Sequence, residues 1–313
     1  MSVSNTHLGS KPAEHLLPYD AIDPANFQNA LKDKVALVTG AGRGIGRAIA
    51  LAFAEAGADV ALLSRTKSQL DEVANIITTT HHRRALVLPA DATEKAAIED
   101  AFARTESELG KVDIVVANAA SFVFRPFVYT PIDEWWNMME ANVKGPMILT
   151  QLAMKSMRER NEGAILVISS RAGIHDTAGL SAYSTSKTAL IRAVGCLQLE
   201  LDAEGKSGVH MYAVHPGGVK TALAQAGSSV SDDMDKMTPG SVQRIRDNFN
   251  SFVTPPELCG RTCVLLAMGK AKELRGRYID VRNDIESVVE QAEIVKKNGL
   301  YSLGIRELGG TVP

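Results

Sequence analysis

Lys34-Val-Ala-Leu-Val-Thr39 runs straight into Gly40-Ala-Gly-Arg-Gly-Ile-Gly46, and that junction decides the fold. The first run is short and apolar, as a strand buried on both faces is. From Arg47 to Ala56 the apolar residues recur at helical spacing, and Gly57 supplies a stop. Asp59-Val-Ala-Leu-Leu-Ser64 is a second buried strand, so the three segments form a βαβ unit. Glycines at 40, 42, 44 and 46 permit unusual backbone angles and close approach of a pyrophosphate. The following helix N-terminus offers free N–H groups and a positive dipole end. The strict G-x-G-x-x-G spacing is not met, because Ile45 stands where a glycine is needed. A flexible turn is the plain alternative. Four glycines between a strand and a helix favour dinucleotide binding, with Gly40, Arg43, Gly44, Ile45 and Gly46 around the phosphates.

The alternation continues outward from this unit. Helices are expected over 67–78, 94–109 and 133–160, the last with a break at Gly145-Pro146. A further helix carries Tyr183 and ends near Asp202. Strands are expected over 85–88, 112–117, 164–169, 209–214 and 276–280. Such alternation predicts an α/β fold, a doubly wound parallel sheet in three α/β/α layers and one domain over 32–283. Residues 1–31 are polar, with Pro12, Pro18 and Pro24, and read as an extension that is loose or lies on the surface. The 284–313 tail begins with helical spacing and ends without it.

In such folds a carboxylate about 20 residues beyond the glycines binds the adenosine ribose. Here that place holds Ser64, followed by Arg65. Arg65, joined by Arg43, can instead pair with a 2′-phosphate. NADP(H) is therefore expected over NAD(H), the alternative being that both arginines are solvated surface charges.

Tyr183-Ser-Thr-Ser-Lys187 places a phenol and an ammonium one helical turn apart. A cation beside a phenol favours the phenolate, and the pair can pass a proton to a substrate oxygen. Alone, this spacing equally describes an ordinary surface pair.

With these residues together, the stretch 32–283 strongly resembles the short-chain dehydrogenase/reductase family, whose sheet is Rossmann-like. Thr39-Gly-Ala-Gly-Arg-Gly-Ile-Gly46 matches the cofactor loop, and Asp91 matches the acidic residue placed near the adenine. Ala117-Asn118-Ala119-Ala120 is similar to the family's Asn-Asn-Ala-Gly, with Asn118 kept and Ala117 and Ala120 departing. Ser170 lies 13 residues before Tyr183, the family's spacing for its catalytic serine. Pro216-Gly-Gly-Val-Lys-Thr221 resembles the segment whose backbone, here around Val219, and threonine hydroxyl, here Thr221, hold the nicotinamide. The resemblance implies a catalytic set of Asn142, Ser170, Tyr183 and Lys187. Tyr183 is expected to exchange the proton, Ser170 to orient the substrate oxygen, and Lys187 to lower the Tyr183 pKa and hold the cofactor ribose. Asn142 is expected to hold a water linking Lys187 to solvent. It also implies ketone–alcohol interconversion, and a homodimer or homotetramer through the helices at 133–160 and 183–202.

The bulk properties agree and narrow the field. The chain has 313 residues, 45% hydrophobic and 22% charged, with a formal net charge of −2. That balance gives no reason to expect nucleic acid or an anionic membrane as partner. Three cysteines, two of them in one apolar helical run, are too few for a secreted disulfide framework and lack metal-site spacing. No metal is expected, and a cytoplasmic location is the default. The resemblance implies a substrate lid over 222–255; its glycines and polar run suggest mobility, and Met234, Met237, Phe249 and Phe252 can supply an apolar wall. That leans towards a medium-sized apolar ketone or alcohol, compatible with secondary metabolism. His175 can face the substrate or pack its loop, and His215 reads as structural. A non-catalytic NADP-binding regulator and a dehydratase or epimerase on the same fold are the rival functions.

Overall fold

A computed structural model describes residues 8–225 and 227–305. Seven strands form one parallel sheet: β1 (Val35–Thr39), β2 (Asp59–Ser64), β3 (Ala85–Pro89), β4 (Val112–Ala117), β5 (Gly163–Ile168), β6 (Val209–His215) and β7 (Tyr278–Asp280). Their spatial order is β3-β2-β1-β4-β5-β6-β7. The connecting helices are α1 (Gly44–Glu55), α2 (Lys67–Thr80), α3 (Lys95–Glu108), α4 (Ile132–Met139), α5 (Gly145–Arg160) and α6 (Ser181–Ala203). After β6 come three short helices, α7 (Ala222–Gln225), α8 (Asp233–Met237) and α9 (Ser241–Asn250), then α10 (Pro256–Ala267). Beyond β7 lie α11 (Ile285–Glu290) and α12 (Ala292–Lys297). The expected doubly wound, three-layer α/β/α fold is what the chain adopts.

Strand side chains alternate between faces, so an all-apolar strand feeds two cores. Ala36 and Val38 pack with Ile49 and Phe53 of α1, Leu70 and Val73 of α2 and Leu258 of α10. Leu37 points the other way and packs with Phe102 of α3, Leu149 of α5 and Leu190 of α6. The chain winds outward from β1 to β3, then jumps back to place β4 beside β1, with Leu37 opposite Val115. Crossovers diverge at that point, leaving a crevice beyond the carboxyl ends of β1 and β4. Thr39, at the end of β1, closes the seam: its Oγ1 accepts from Asn118 N at 2.9 Å and Ala119 N at 3.0 Å.

Three expectations change. The 133–160 helix does not break at Gly145-Pro146; a π turn over Glu140–Lys144 joins α4 to α5 immediately before them. Proline at the second position of α5 needs no backbone donor, so the helix continues through it. The 222–255 lid is not an irregular polar run. Val230, Met234, Val242 and Phe249 bury their side chains against Phe124 and Leu180 in a third, smaller core. Met237, expected in that wall, is 45% exposed.

The extension is the third. Residues 1–7, and 306–313 of the tail, lie outside the described residues, but the rest of the extension is anchored. Ile22, Phe27 and Leu31 are buried with α1 and α10. Ahead of them, His15 N donates to Arg282 O at 2.6 Å, and Asp284 N donates to Ala13 O at 2.8 Å. Tyr19 Oη accepts from Ile285 N at 3.0 Å, and its ring stacks on His15 at 3.9 Å. Residues 13–19 and 282–285 therefore clasp each other beside β7. Its polar composition hid this, because the anchoring residues are single and widely spaced. Ile22→Ala should cost about 2–5 kcal/mol, as truncation of a fully buried side chain does. Leu17→Ala, at a side chain 65% exposed, should stay within about 0.5 kcal/mol of wild type. Urea unfolding distinguishes the two, and equal midpoints would mean the extension carries no stability.

Candidate active site

The crevice is a cavity of about 860 Å³ that runs from the β1–α1 loop to the amino end of α6. Gly40, with φ +66°, turns the chain out of β1; a Cβ there would lie 2.8 Å from Asn118 Nδ2. At Gly46 a Cβ would meet Gly40 O at 2.2 Å, so only glycine lets α1 pack down on the loop. Arg43 precedes α1 in extended conformation, with no side chain capping the helix. The first N–H groups of α1 are left for a ligand, and Gly44, Ile45 and Gly46 line the wall there. This cradle fits a pyrophosphate.

Ser64, Arg65, Thr66 and Gln69 line the far end, with Arg43 across from them. The Ser64 hydroxyl is buried and has no hydrogen-bond partner. Arg83 and Arg84 share Asp59, whereas Arg43 and Arg65 are exposed at the cavity rim. Asp91 is also on the wall, its Oδ1 accepting from Thr93 N and Thr93 Oγ1, both at 2.9 Å.

At the near end α6 presents Tyr183 and Lys187. Lys187 is 2% exposed, and its Nζ donates to Ile168 O at 2.8 Å. Burial pulls its pKa down to about 8. The same ammonium lies 5.6 Å from the centre of the Tyr183 ring. Burial also pushes the Tyr183 phenol up, and the neighbouring Ser170 hydroxyl pulls it partly back. Lys187 was expected to lower that pKa; in this structure desolvation outweighs every other influence on the phenol, and both groups lean towards their neutral forms.

The two candidate serines separate cleanly. Ser169 Oγ donates to Lys187 O at 3.1 Å, which uses its proton inside the fold. Ser170 Oγ accepts from Ala172 N at 3.1 Å, so its proton stays free to donate. Asn142 sits in the π turn with no exposure. Its Oδ1 accepts from Ser121 N at 2.7 Å, and its Nδ2 donates to Ser121 O at 2.9 Å and Ser186 Oγ at 3.0 Å. Both amide hydrogens of this side chain are used by protein. It ties the loop after β4 to α6.

Of the expected residues, Gly40, Arg43, Gly44, Ile45, Gly46, Ser64, Arg65, Asp91, Asn118, Tyr183, Lys187 and Thr221 share this one cavity. Ser170, Asn142 and Val219 stand behind its wall, Ser170 at the Tyr183 phenol and Val219 buried. His175 is exposed and off the wall. Phe122 was missed: it lines the cavity, and its ring meets Tyr183 edge-on at 4.8 Å. It lies in an irregular loop, where no periodicity marks it. His215 is buried, and its Nδ1 accepts from Arg171 N at 3.2 Å. Among the described residues no cluster of His, Cys, Asp and Glu could hold a metal, and no helix is long and apolar enough to cross a membrane.

Comparison with known proteins agrees with this geometry. The family model for short chain dehydrogenases matches residues 34–231. A short chain dehydrogenase of Pseudocercospora fijiensis is 33% identical over 295 residues, covering 92% of this chain and 94% of its own. The short chain dehydrogenase pigC of Monascus ruber is 31% identical over 290 residues, covering 90% and 89%. Among solved structures, 7α-hydroxysteroid dehydrogenase complexed with NADH and 7-oxoglycochenodeoxycholic acid superposes with a TM-score of 0.69 at 25% identity. That match covers 85% of this chain and 98% of the other. The fold and the cradle define a nicotinamide-dependent oxidoreductase. The chain belongs to the short-chain dehydrogenase/reductase family.

Burial of His215 makes stability depend on pH. The folded ring is pushed down to about 4, first by desolvation; Arg282 and Arg171 add to the push and Asp280 opposes it. In the unfolded chain the ring titrates near ~6.5. The fold favours the neutral ring, so this contribution is complete above pH ~6.5 and is lost as pH falls towards 4. Between pH 7 and pH 5, wild type should lose about 2 kcal/mol more than His215→Asn in urea unfolding. Parallel losses in the two proteins would show that the ring is not held neutral.

Proposed function

We propose that the protein is an NADP(H)-dependent enzyme that interconverts a ketone and a secondary alcohol. The observation that carries this reading is that the α1 phosphate cradle and the Tyr183 phenol share one crevice, with the Ser170 hydroxyl against that phenol. A bound nicotinamide would supply the hydride in reduction or accept it in oxidation. Gly44, Ile45 and Gly46 would hold the pyrophosphate, Asn118 and Thr221 the nicotinamide half, and Lys187 the ribose beside it. Asp91 stands near where the adenine would lie.

The chain's own residues handle the proton. As charge develops on the substrate oxygen, Ser170 donates a hydrogen bond to it, and Tyr183 gives its proton to the same oxygen. In oxidation Tyr183 receives that proton. A phenol held protonated by burial is ready for reduction. Lys187 restores the balance: a cation within reach of the ring stabilises the phenolate left behind. Asn142 acts at one remove, because its bond to Ser186, whose Oγ donates to Tyr183 O at 2.7 Å, fixes the turn of α6 that aims the phenol.

The preference for NADP(H) rests on Arg43, Arg65 and the unpartnered Ser64 hydroxyl at the adenosine end, where the end of β2 offers no carboxylate. Phe122, with the aromatic cluster behind it, supports an apolar ketone of medium size. We place it in secondary metabolism, a reading these aromatic walls favour. Exposed Ile132, Trp136 and Leu199 support self-association as a homodimer or homotetramer.

Tyr183→Phe should keep NADPH binding and lose about 10²–10⁴ in kcat, the usual worth of a positioned acid. NADPH consumption against a panel of ketones and quinones reads this, and a wild-type rate removes the mechanism. Arg65→Asp should lower the NADPH/NADH ratio of kcat/KM by about tenfold or more, the worth of one charge-assisted contact. An unchanged ratio would mean that the 2′-phosphate is held elsewhere.

A further inference from the structure

Ser170 does not stand on a regular element. It follows β5 and opens the single 3-10 turn Arg171–Gly173, with φ −160° and ψ 156°. The hydrogen bonds of such a turn decide where the Ser170 hydroxyl points. Two are internal, Gly173 N to Ser170 O at 2.9 Å and Ile174 N to Arg171 O at 3.1 Å. Another N–H, that of Ala172, goes to Ser170 Oγ itself. The remaining N–H, that of Arg171, goes to a side chain on another strand, Nδ1 of His215 at 3.2 Å.

His215 is well placed to be a fixed point. It ends β6, where Ile168 of β5 pairs with Val214 and Ser169 N donates to Val214 O at 2.7 Å. On its other side, it pairs with Asp280 of β7, and Val281 N donates to His215 O at 3.2 Å. Its ring is 7% exposed and lies parallel to the Tyr278 ring at 6.4 Å. Because Nδ1 accepts, the neutral ring carries its proton on Nε2, and burial favours that neutral form. The next residue, Pro216, lines the cavity. One residue thus joins the serine turn to the Pro-Gly segment.

We propose that His215 is a positioning residue for the reaction, holding the Ser170 turn through the Arg171 N–H so that the Ser170 hydroxyl meets the substrate oxygen beside Tyr183. This rests on the serine role given under Proposed function. The terminal clasp reinforces it from behind. Asp280 is held by Arg282, whose Nε and Nη2 reach its two oxygens at 3.0 and 2.6 Å, and Arg282 O accepts from His15 N. This clasp of residues 13–19 with 282–285 therefore braces the strand against which His215 is packed.

The test compares His215→Leu, which removes the acceptor, with His215→Asn, whose Oδ1 can replace Nδ1, in the full-length protein. NADPH oxidation is followed with cyclohexanone and 9,10-phenanthrenequinone, and NADPH affinity by fluorescence. His215→Leu should lower kcat by about tenfold to a hundredfold, the cost of a misplaced group, with the NADPH Kd within about twofold of wild type. His215→Asn should recover much of that loss. In a Ser170→Ala background, His215→Leu should cost nothing further, because its effect passes through that hydroxyl. A merely structural histidine would lower the melting temperature and leave the kcat of the folded enzyme unchanged, which overturns the proposal. So does an equal kcat loss with and without Ser170. If Ser170→Ala itself turns over like wild type, the serine role fails and takes this inference with it. Hydrogen exchange of the wild-type protein needs neither turnover nor a variant. The Arg171 amide should exchange at least about tenfold more slowly than an open loop, and open-loop exchange would show that the bond does not hold the turn.

Discussion

Burying a lysine is the constraint around which the active-site end of this fold is built. Lys187 is 2% exposed, and an ammonium removed from water must find oxygen acceptors or lose its proton. The fold gives it one close acceptor, the carbonyl of Ile168 at the carboxyl end of β5. That single bond locks α6 to the central sheet at the level of the crevice. It also explains the neighbours: Ser169 donates to the Lys187 carbonyl, and Asn142 reaches Ser186 in the adjoining turn. The result is a helix whose rotation and height are fixed within one turn of Tyr183. Burial pulls the lysine down to about 8 from its ordinary range. Negative charge arriving nearby would strengthen its hold on the proton.

How much of this was legible differs by element. Strand runs such as Asp59–Ser64 and the loop Gly40–Gly46 were readable because their signals are local: continuous apolar residues and glycines demanded by clashes with Asn118 and Gly40 O. The cavity brings together most of the residues expected from the glycine loop and from the family resemblance, since a strand–loop–helix unit dictates where its loop must stand. Long-range chemistry was not legible. The pKa of Tyr183 was expected to fall because a lysine lies one turn away. What that spacing omits is burial, which is set by Phe122 and by lid residues far off in sequence. The bonds of Asn142 were not legible for a related reason. They depend on a π turn and on Ser121, 21 residues away, neither of which its own surroundings announce.

The lid and the extension show the same limit from the apolar side. Both carry polar sequence, and both turn on a few apolar residues within it. Phe124 and Val230 form an isolated parallel bridge, with Phe124 N donating to Ser229 O at 2.8 Å and Ser231 N to Phe124 O at 2.9 Å. Through it the loop after β4 and the segment after β6 become one unit, joined by Arg125, whose guanidinium lies near Glu134 and Asp233. The segment after β6 is thereby tied to the loop that carries Phe122 against Tyr183.

That coupling bears on the shape of the crevice. Phe122, Phe124, Phe249 and Phe252 form a chain of edge-to-face and tilted contacts, each with centroids between 5.5 and 5.9 Å, and Phe122 closes it onto Tyr183 at 4.8 Å. Aromatic pairs in such geometry are worth about 0.5–1.5 kcal/mol beyond burial. A ligand that entered beside Phe122 would therefore have to displace or extend this stack. The wall that buries the Tyr183 phenol and pushes its pKa up is also part of the cavity lining, so the shape of the crevice and the protonation of the phenol are two consequences of the same packing.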